Sequence, residues 1–223
     1  MDFSPLEGGQ RHQVLRGTGD GSAYVFKTTN RSEAQLAWLA TLEPRLKSVG
    51  LARALPIPTL EGACSFAGWT VERYIPGRVL TPADRVRLRQ TLRRMQRVCF
   101  GLPQRPGFLK ARDFLVQSKG GDIDLSRMPE DVVKRCRKAL SLVPSVPVTL
   151  CHGDLHPGNI AVTPWGQFVF YDWDEARIDN PLFDMVAVGA LDHPTPRRAA
   201  LAYEIAACWH IEPERAKSLL LHL

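Results

Sequence analysis

The sequence predicts an α+β chain of two unequal parts, β-rich over residues 1–76 and mainly helical over residues 77–223. Three observations carry this expectation. Short apolar alternations flank a Gly-rich turn within the first thirty residues. Helical periodicity dominates after Pro76-Gly77. Three short strand candidates enclose a dense polar segment between Val148 and Tyr171. With 44% hydrophobic and 23% charged residues, the composition is that of a globular chain and excludes disordered and fibrous classes.

In chain order, residues 13–16 and 22–28 read as strands joined by a turn at Gly17-Thr18-Gly19-Asp20-Gly21. That Gly-x-Gly-x-Gly run precedes a strand and not a helix, so it reads as a hairpin turn and not as a dinucleotide fingerprint. Ser32 and Gln35 have the spacing of a capping box at the start of a helix carrying Leu36, Leu39 and Ala40. Residues 69–74 (WTVERY) form another strand candidate, ended by Pro76-Gly77. Thr81-Pro82 opens a helix to about Cys99, with Leu88, Leu92, Met95 and Cys99 as its apolar stripe. Residues 100–125 read as a long connection, 129–143 as a second helix, and 148–151, 160–162 and 168–171 as strands. From Pro196 the chain reads as helix, broken near Ile211-Glu212-Pro213.

The formal charge is +6. Its excess is local: Arg85, Arg89, Arg93 and Arg97 recur every four residues on one helix. No aromatic residues interleave them, so a nucleic acid is not the expected partner, and a solvated helix face is. No apolar run is long enough to span a membrane, and the N-terminal residues lack the apolar core of a secretory signal. Five dispersed cysteines (Cys64, Cys99, Cys136, Cys151, Cys208) without a CxxC pair predict reduced, buried thiols and a cytoplasmic setting.

The chemistry concentrates in Leu150-Cys151-His152-Gly153-Asp154-Leu155-His156-Pro157-Gly158-Asn159, followed across a hairpin by Tyr171-Asp172-Trp173-Asp174. Polar groups packed this densely beside apolar strands are costly unless they bind something. The spacing His-x-Asp-x4-Asn with a later Asp is a phosphoryl-transfer layout, in which one acid takes a hydroxyl proton while an Asn and a second acid hold Mg²⁺. His152, Asp154 and His156 also supply three zinc-type side chains. A zinc site would want alternate strand residues or an i, i+4 helical pair, and Pro157-Gly158 imposes a loop.

HGDLHPGN with FVFYDWDEARIDNPLFDM resembles the catalytic and metal-binding loops of the aminoglycoside phosphotransferase family, which includes choline-kinase-like and related small-molecule kinases. Upstream, LEGGQRHQVLR is similar to that family's phosphate-covering loop, AYVFK to its lysine strand, SEAQLAWL to its regulatory-type helix and WTVERYIPG to its hinge. The resemblance implies a two-lobed protein-kinase-like fold. A nucleotide-binding lobe would span 1–76, a catalytic and substrate lobe 77–223, and the active site would lie in the cleft between them. It further implies Asp154 as catalytic base, with His152 and Asp184 supporting the loop, and Asn159 and Asp172 as Mg²⁺ ligands. Lys27 would contact the α- and β-phosphates of ATP or GTP and pair with Glu33. Gly8 and Gly9 would let the backbone approach the phosphates, and the backbone around Glu72 and Tyr74 would hold the base. The implied partner is a small hydroxylated acceptor. The basic connection after the hinge, with few acids, speaks against a polycationic one. The alternative expectation is a catalytically silent kinase-like module that binds a nucleotide or a protein.

Overall fold

The computed structural model describes residues 2–6, 12–19 and 21–223. Its first elements are β1 (Asp2–Pro5), β2 (Val14–Gly19), β3 (Ser22–Thr28), α1 (Glu33–Ala40), α2 (Glu43–Ser48), β4 (Ala52–Arg53), β5 (Trp69–Arg73) and α3 (Arg85–Val98). There follow β6 (Lys119–Gly120), β7 (Ile123–Asp124), α4 (Glu130–Ser141), β8 (Thr149–Cys151), β9 (Ile160–Val162) and β10 (Phe168–Phe170). The chain closes with β11 (Arg177–Asp179), α5 (Leu182–Ala187), α6 (Pro194–Cys208) and α7 (Pro213–Leu220). These elements pack as two units that are discontinuous in sequence. One is Met1–Val98 with His156–Asp174, and the other is Cys99–Leu155 with Glu175–Leu223.

The first unit is built on an antiparallel sheet of order β1-β2-β3-β5. The Gly-rich segment is the expected hairpin, with Gly19 paired to Ser22. Residues in register across an antiparallel sheet share a face. Val14, Lys27 and Thr70 therefore form one row, and Arg16, Val25 and Glu72 the next on the same face. The capping box of α1 forms as read: Gln35 N donates to Ser32 Oγ at 3.4 Å and Ser32 N to Gln35 Oε1 at 3.0 Å. Trp38 joins Leu36 and Leu39 in the buried set. Thr81 caps a short 3₁₀ turn, Pro82–Asp84, before α3 begins. α3 buries Leu88, Leu92, Met95 and Gln96 and leaves Arg85, Arg89, Arg93 and Arg97 exposed. A smaller sheet of order β4-β10-β9 completes the unit, with β10 parallel to β4 and antiparallel to β9.

The second unit surrounds a core of Phe114, Val132, Cys136, Leu140, Phe183, Tyr203 and Ile205, drawn from a 3₁₀ turn and from α4, α5 and α6. β8 and β11 pair antiparallel beside it, Leu150 opposite Ile178. The stretch expected to be a plain connection is largely built in. Arg105 is fully buried with its guanidinium 4.5 Å over the Phe108 ring, and Gln104 bonds both N and O of Ile178. Its Gly, Pro and charge content masked these few anchors. The C-terminal helices break at the expected Ile211–Pro213. All five cysteines are buried and stand outside any disulfide. Among the described residues, no helix is long and apolar enough to cross a membrane.

At Gly77 the chain leaving β5 packs against β9. An added Cβ would lie 2.6 Å from Ala161 Cβ and 3.3 Å from Val162 O, beside the Arg78–Val162 bridge. Gly77→Ala is therefore expected to cost about 1–3 kcal/mol of stability through overpacking, read as a lower urea midpoint. An unchanged midpoint would contradict this packing.

Candidate active site

In the first unit, Lys27 on β3 meets the end of the β9–β10 hairpin, which belongs to the other sheet. Its Nζ donates to Asp172 Oδ1 at 2.5 Å and lies 3.1 Å from Asp174 Oδ2. Burial works against the ammonium charge, and the carboxylates of Asp174 and Asp172 overcome it, so Lys27 is held above the usual lysine range. Asp174 lies 3.3 Å from His12 Nε2. Burial opposes its charge too. The His12 hydrogen bond and the cations Lys27 and Arg31 outweigh that and hold it below the usual carboxylate range. Asp172 has φ of 60°, a left-handed conformation that short polar side chains tolerate best, and its side chain is 45% exposed. Tyr171 N donates to Asn159 O at 2.9 Å, so the hairpin sets Asn159 beside the approach to Asp172. These two residues offer amide and carboxylate oxygens, a donor set suited to a hard cation.

Glu72 belongs to this group by its side chain. It sits one register row from Lys27 on the same face. Burial, helped by the charges of Asp174 and Asp172 and opposed by Lys27, pushes its carboxyl up to about 8. Tyr74 N donates to Ala23 O at 3.0 Å, and the Arg16 guanidinium stands 4.2 Å over the Tyr74 ring. Glu33 goes elsewhere. Its carboxylate accepts Cys64 N at 2.6 Å and Ser65 Oγ at 3.2 Å, so the expected pairing with Lys27 is replaced by pairs to Asp172 and Asp174. The fold brings the backbone N–H of Cys64, 31 residues along the chain, to the first turn of α1, where Glu33 accepts it. Gly8 and Gly9 lie outside the described residues.

In the second unit, β8 delivers the loop carrying His152, Gly153 and Asp154. His152 is fully buried, and Asp154 N donates to its Nδ1 at 3.4 Å. Asp184 on α5 accepts His152 N at 2.7 Å and Gly153 N at 3.0 Å, clamping the loop through its backbone. Burial pushes the Asp184 carboxyl up to about 6 against those two bonds. Gly153 is required, since its φ is +88° and a Cβ would meet Glu175 O at 2.5 Å. Beneath it, Arg177 pairs with Asp179 at 2.8 Å, donates to Glu175 O at 3.1 Å and stacks 3.6 Å over Tyr203. His156, in the first unit, accepts Gly158 N at 3.0 Å as a turn cap.

Sequence reasoning assigned no role to Asp174, His12 or the Arg177–Asp179 pair. Asp174 was legible only as a second acid beside Asp172. The charged pair Arg177 and Asp179, flanking Ile178 in a strand buried on both faces, was the one signal for the network under the loop.

A sheet lysine gathered with acids that follow a hairpin in the first unit, and a clamped His-x-Asp loop in the second, are the two polar clusters that the sequence singled out. The chain belongs to the phosphotransferase enzyme family, whose family model matches residues 2–219. Among solved structures, spectinomycin phosphotransferase with ADP and spectinomycin aligns with a TM-score of 0.60 at 15% identity, over 97% of this chain and 83% of that one. The choline kinase of Streptococcus pneumoniae aligns with a TM-score of 0.60 at 15% identity, over 100% and 94%. At such identities these structures establish the fold, which is the expected protein-kinase-like one. An uncharacterized protein of Deinococcus radiodurans is 25% identical over an alignment of 207 positions that covers 82% of this chain. The chain spans 57% of the length of that relative.

The raised Glu72 carboxyl has a consequence for stability. Between the ordinary value of 4.5 and about 8, the folded chain holds this proton more tightly than the unfolded chain. The contribution is full below that window and is lost as pH rises through it. Glu72→Gln cannot ionise, so it is expected to gain stability relative to the wild type as pH rises from about 5 to about 9, read from urea midpoints. A difference that stays constant across that range would contradict this environment for Glu72.

Proposed function

We propose that the chain is a small-molecule kinase that transfers the γ-phosphoryl group of ATP or GTP to a hydroxyl group. The observation that carries this reading is the meeting of Lys27 with Asp172 and Asp174, 145 residues along the chain from Lys27 to Asp172. A desolvated ammonium beside acids suited to a hard cation is what polyphosphate recognition requires.

In this reading Asp154 accepts the proton of the acceptor hydroxyl as its oxygen bonds to the γ-phosphorus. The bond from that phosphorus to the β,γ-bridging oxygen breaks, and the nucleoside diphosphate leaves. Asp184 and His152 hold the loop that presents Asp154. Lys27 binds the α- and β-phosphates, and the strand around Glu72 and Tyr74 lines the base. Asn159 and Asp172 would hold Mg²⁺, which when bound neutralises charge on the phosphates. The reading assigns residues 1–76 to nucleotide binding and 77–223 to catalysis and acceptor binding. Membership of the phosphotransferase family supports it. The structural relatives named above are a spectinomycin phosphotransferase and a choline kinase, which supports a small hydroxylated acceptor here. The formal charge of +6 favours a neutral or anionic metabolite over a polycationic aminoglycoside.

The test is nucleotide turnover against a panel of aminoglycosides, amino alcohols and sugars. Asp154→Ala is expected to lower kcat by about 10²–10⁴-fold with its thermal stability retained. Equal transfer by wild type and variant would remove Asp154 as base, and absence of turnover by the wild type across the panel would count against the enzyme reading.

A further inference from the structure

We infer that Asp174, and not an acid of helix α1, is the carboxylate that positions Lys27 for the nucleotide phosphates. This deepens the proposed function and rests on it.

A lysine that binds phosphates needs an anion of its own, or its long flexible stem must be ordered anew at each binding event. The helix following the lysine strand offers one acid, Glu33, and both of its oxygens are engaged. One accepts the backbone N–H of Cys64 at 2.6 Å and the other the hydroxyl of Ser65 at 3.2 Å. Drawing Glu33 toward Lys27 would strip that backbone donor of its acceptor, a cost comparable to any ion pair gained. Glu33 therefore ties α1 to the segment around Cys64.

Two carboxylates do meet Lys27, and they differ in what else they can do. Asp172 lies 2.5 Å away, with a side chain 45% exposed. A cation taken up at Asp172 would claim that carboxylate and repel the ammonium. Asp174 lies 3.1 Å from Lys27, and its side chain is 19% exposed. It is also braced by His12 Nε2 at 3.3 Å and by the charge of Arg31. Asp174 therefore keeps Lys27 in place when Asp172 turns to a metal ion. The anchor travels on the same turn as Asp172, so lysine and metal acid are set by one loop.

The test is ADP affinity measured by calorimetry, once in EDTA and once with Mg²⁺. With Mg²⁺, where the ion claims Asp172, losing the anchor should weaken ADP binding about tenfold, the equivalent of one charge-assisted hydrogen bond, in both Asp174→Asn and Lys27→Met. In EDTA, where Asp172 still pairs with Lys27, Asp174→Asn should cost less than Lys27→Met. In the Lys27→Met background, Asp174→Asn should add nothing, because it acts through the lysine. Asp174→Glu, which keeps the charge and guards against a misfolded Asn variant, should restore part of the loss. Asp172→Asn should reduce only the gain that Mg²⁺ brings. Glu33→Gln should lower the thermal midpoint and change ADP affinity by less than about twofold. An Asp174→Asn loss that persists in the Lys27→Met background would make Asp174 a metal ligand and overturn the inference. So would a Glu33→Gln loss as large as that of Lys27→Met. If the wild type binds no ADP under either condition, the proposed function fails and this inference with it.

Discussion

The meeting of Lys27 with the acids of the Tyr171–Asp174 turn is the contact on which the rest of the first unit depends. Lys27 is desolvated on its strand, and an ammonium so placed is tolerable only beside carboxylates. Those carboxylates arrive from a hairpin near the far end of the chain, so two sheets must be built for one ion pair. The register Val14–Lys27–Thr70 aims the lysine. The register Phe170–Ile160 ends the hairpin beside Asn159 and Asp172. The left-handed Asp172 is the point of backbone strain in this arrangement, at a residue type that bears it at modest cost.

The second unit solves a different problem, holding a short polar loop in place without using the Asp154 side chain, the base in the proposed function. Asp184 does this through the backbone N–H groups of His152 and Gly153, leaving Asp154 half-buried at the end of the loop. The cost is a buried carboxylate. It is met by those two donors and by the nearby Arg177, itself bound to Asp179 and stacked on Tyr203. Gly153 is then fixed by geometry, since no other residue fits against Glu175 O at that φ.

Much of the fold was legible because its signals are local. The capping box at Ser32 and Gln35, the hairpin glycines and the stripe Leu88–Leu92–Met95 each need only neighbouring residues to read. The candidate site was legible where spacing within one loop carries it, at His152, Asp154 and Asn159, and by resemblance at Asp172. Long-range pairing was not. The resemblance paired Lys27 with Glu33, the one acid on the helix that follows, whereas the fold gives Glu33 the backbone donor at Cys64 and brings Lys27 to Asp172 and Asp174. The outline of residues 100–125 was missed for a related reason: Gln104 and Arg105 fasten to the segment 176–178, a partner no local pattern announces.

The central claim is that the Lys27–Asp172 group receives nucleotide phosphates. Its most direct measurement is the thermal midpoint of the wild type as Mg²⁺-ADP is added, set beside Mg²⁺-AMP, which lacks the β-phosphate. The account predicts a midpoint that climbs with Mg²⁺-ADP concentration, as a ligand binding only the folded state requires, and a clearly smaller rise with Mg²⁺-AMP. Equal rises with both nucleotides, or none with either, would contradict it.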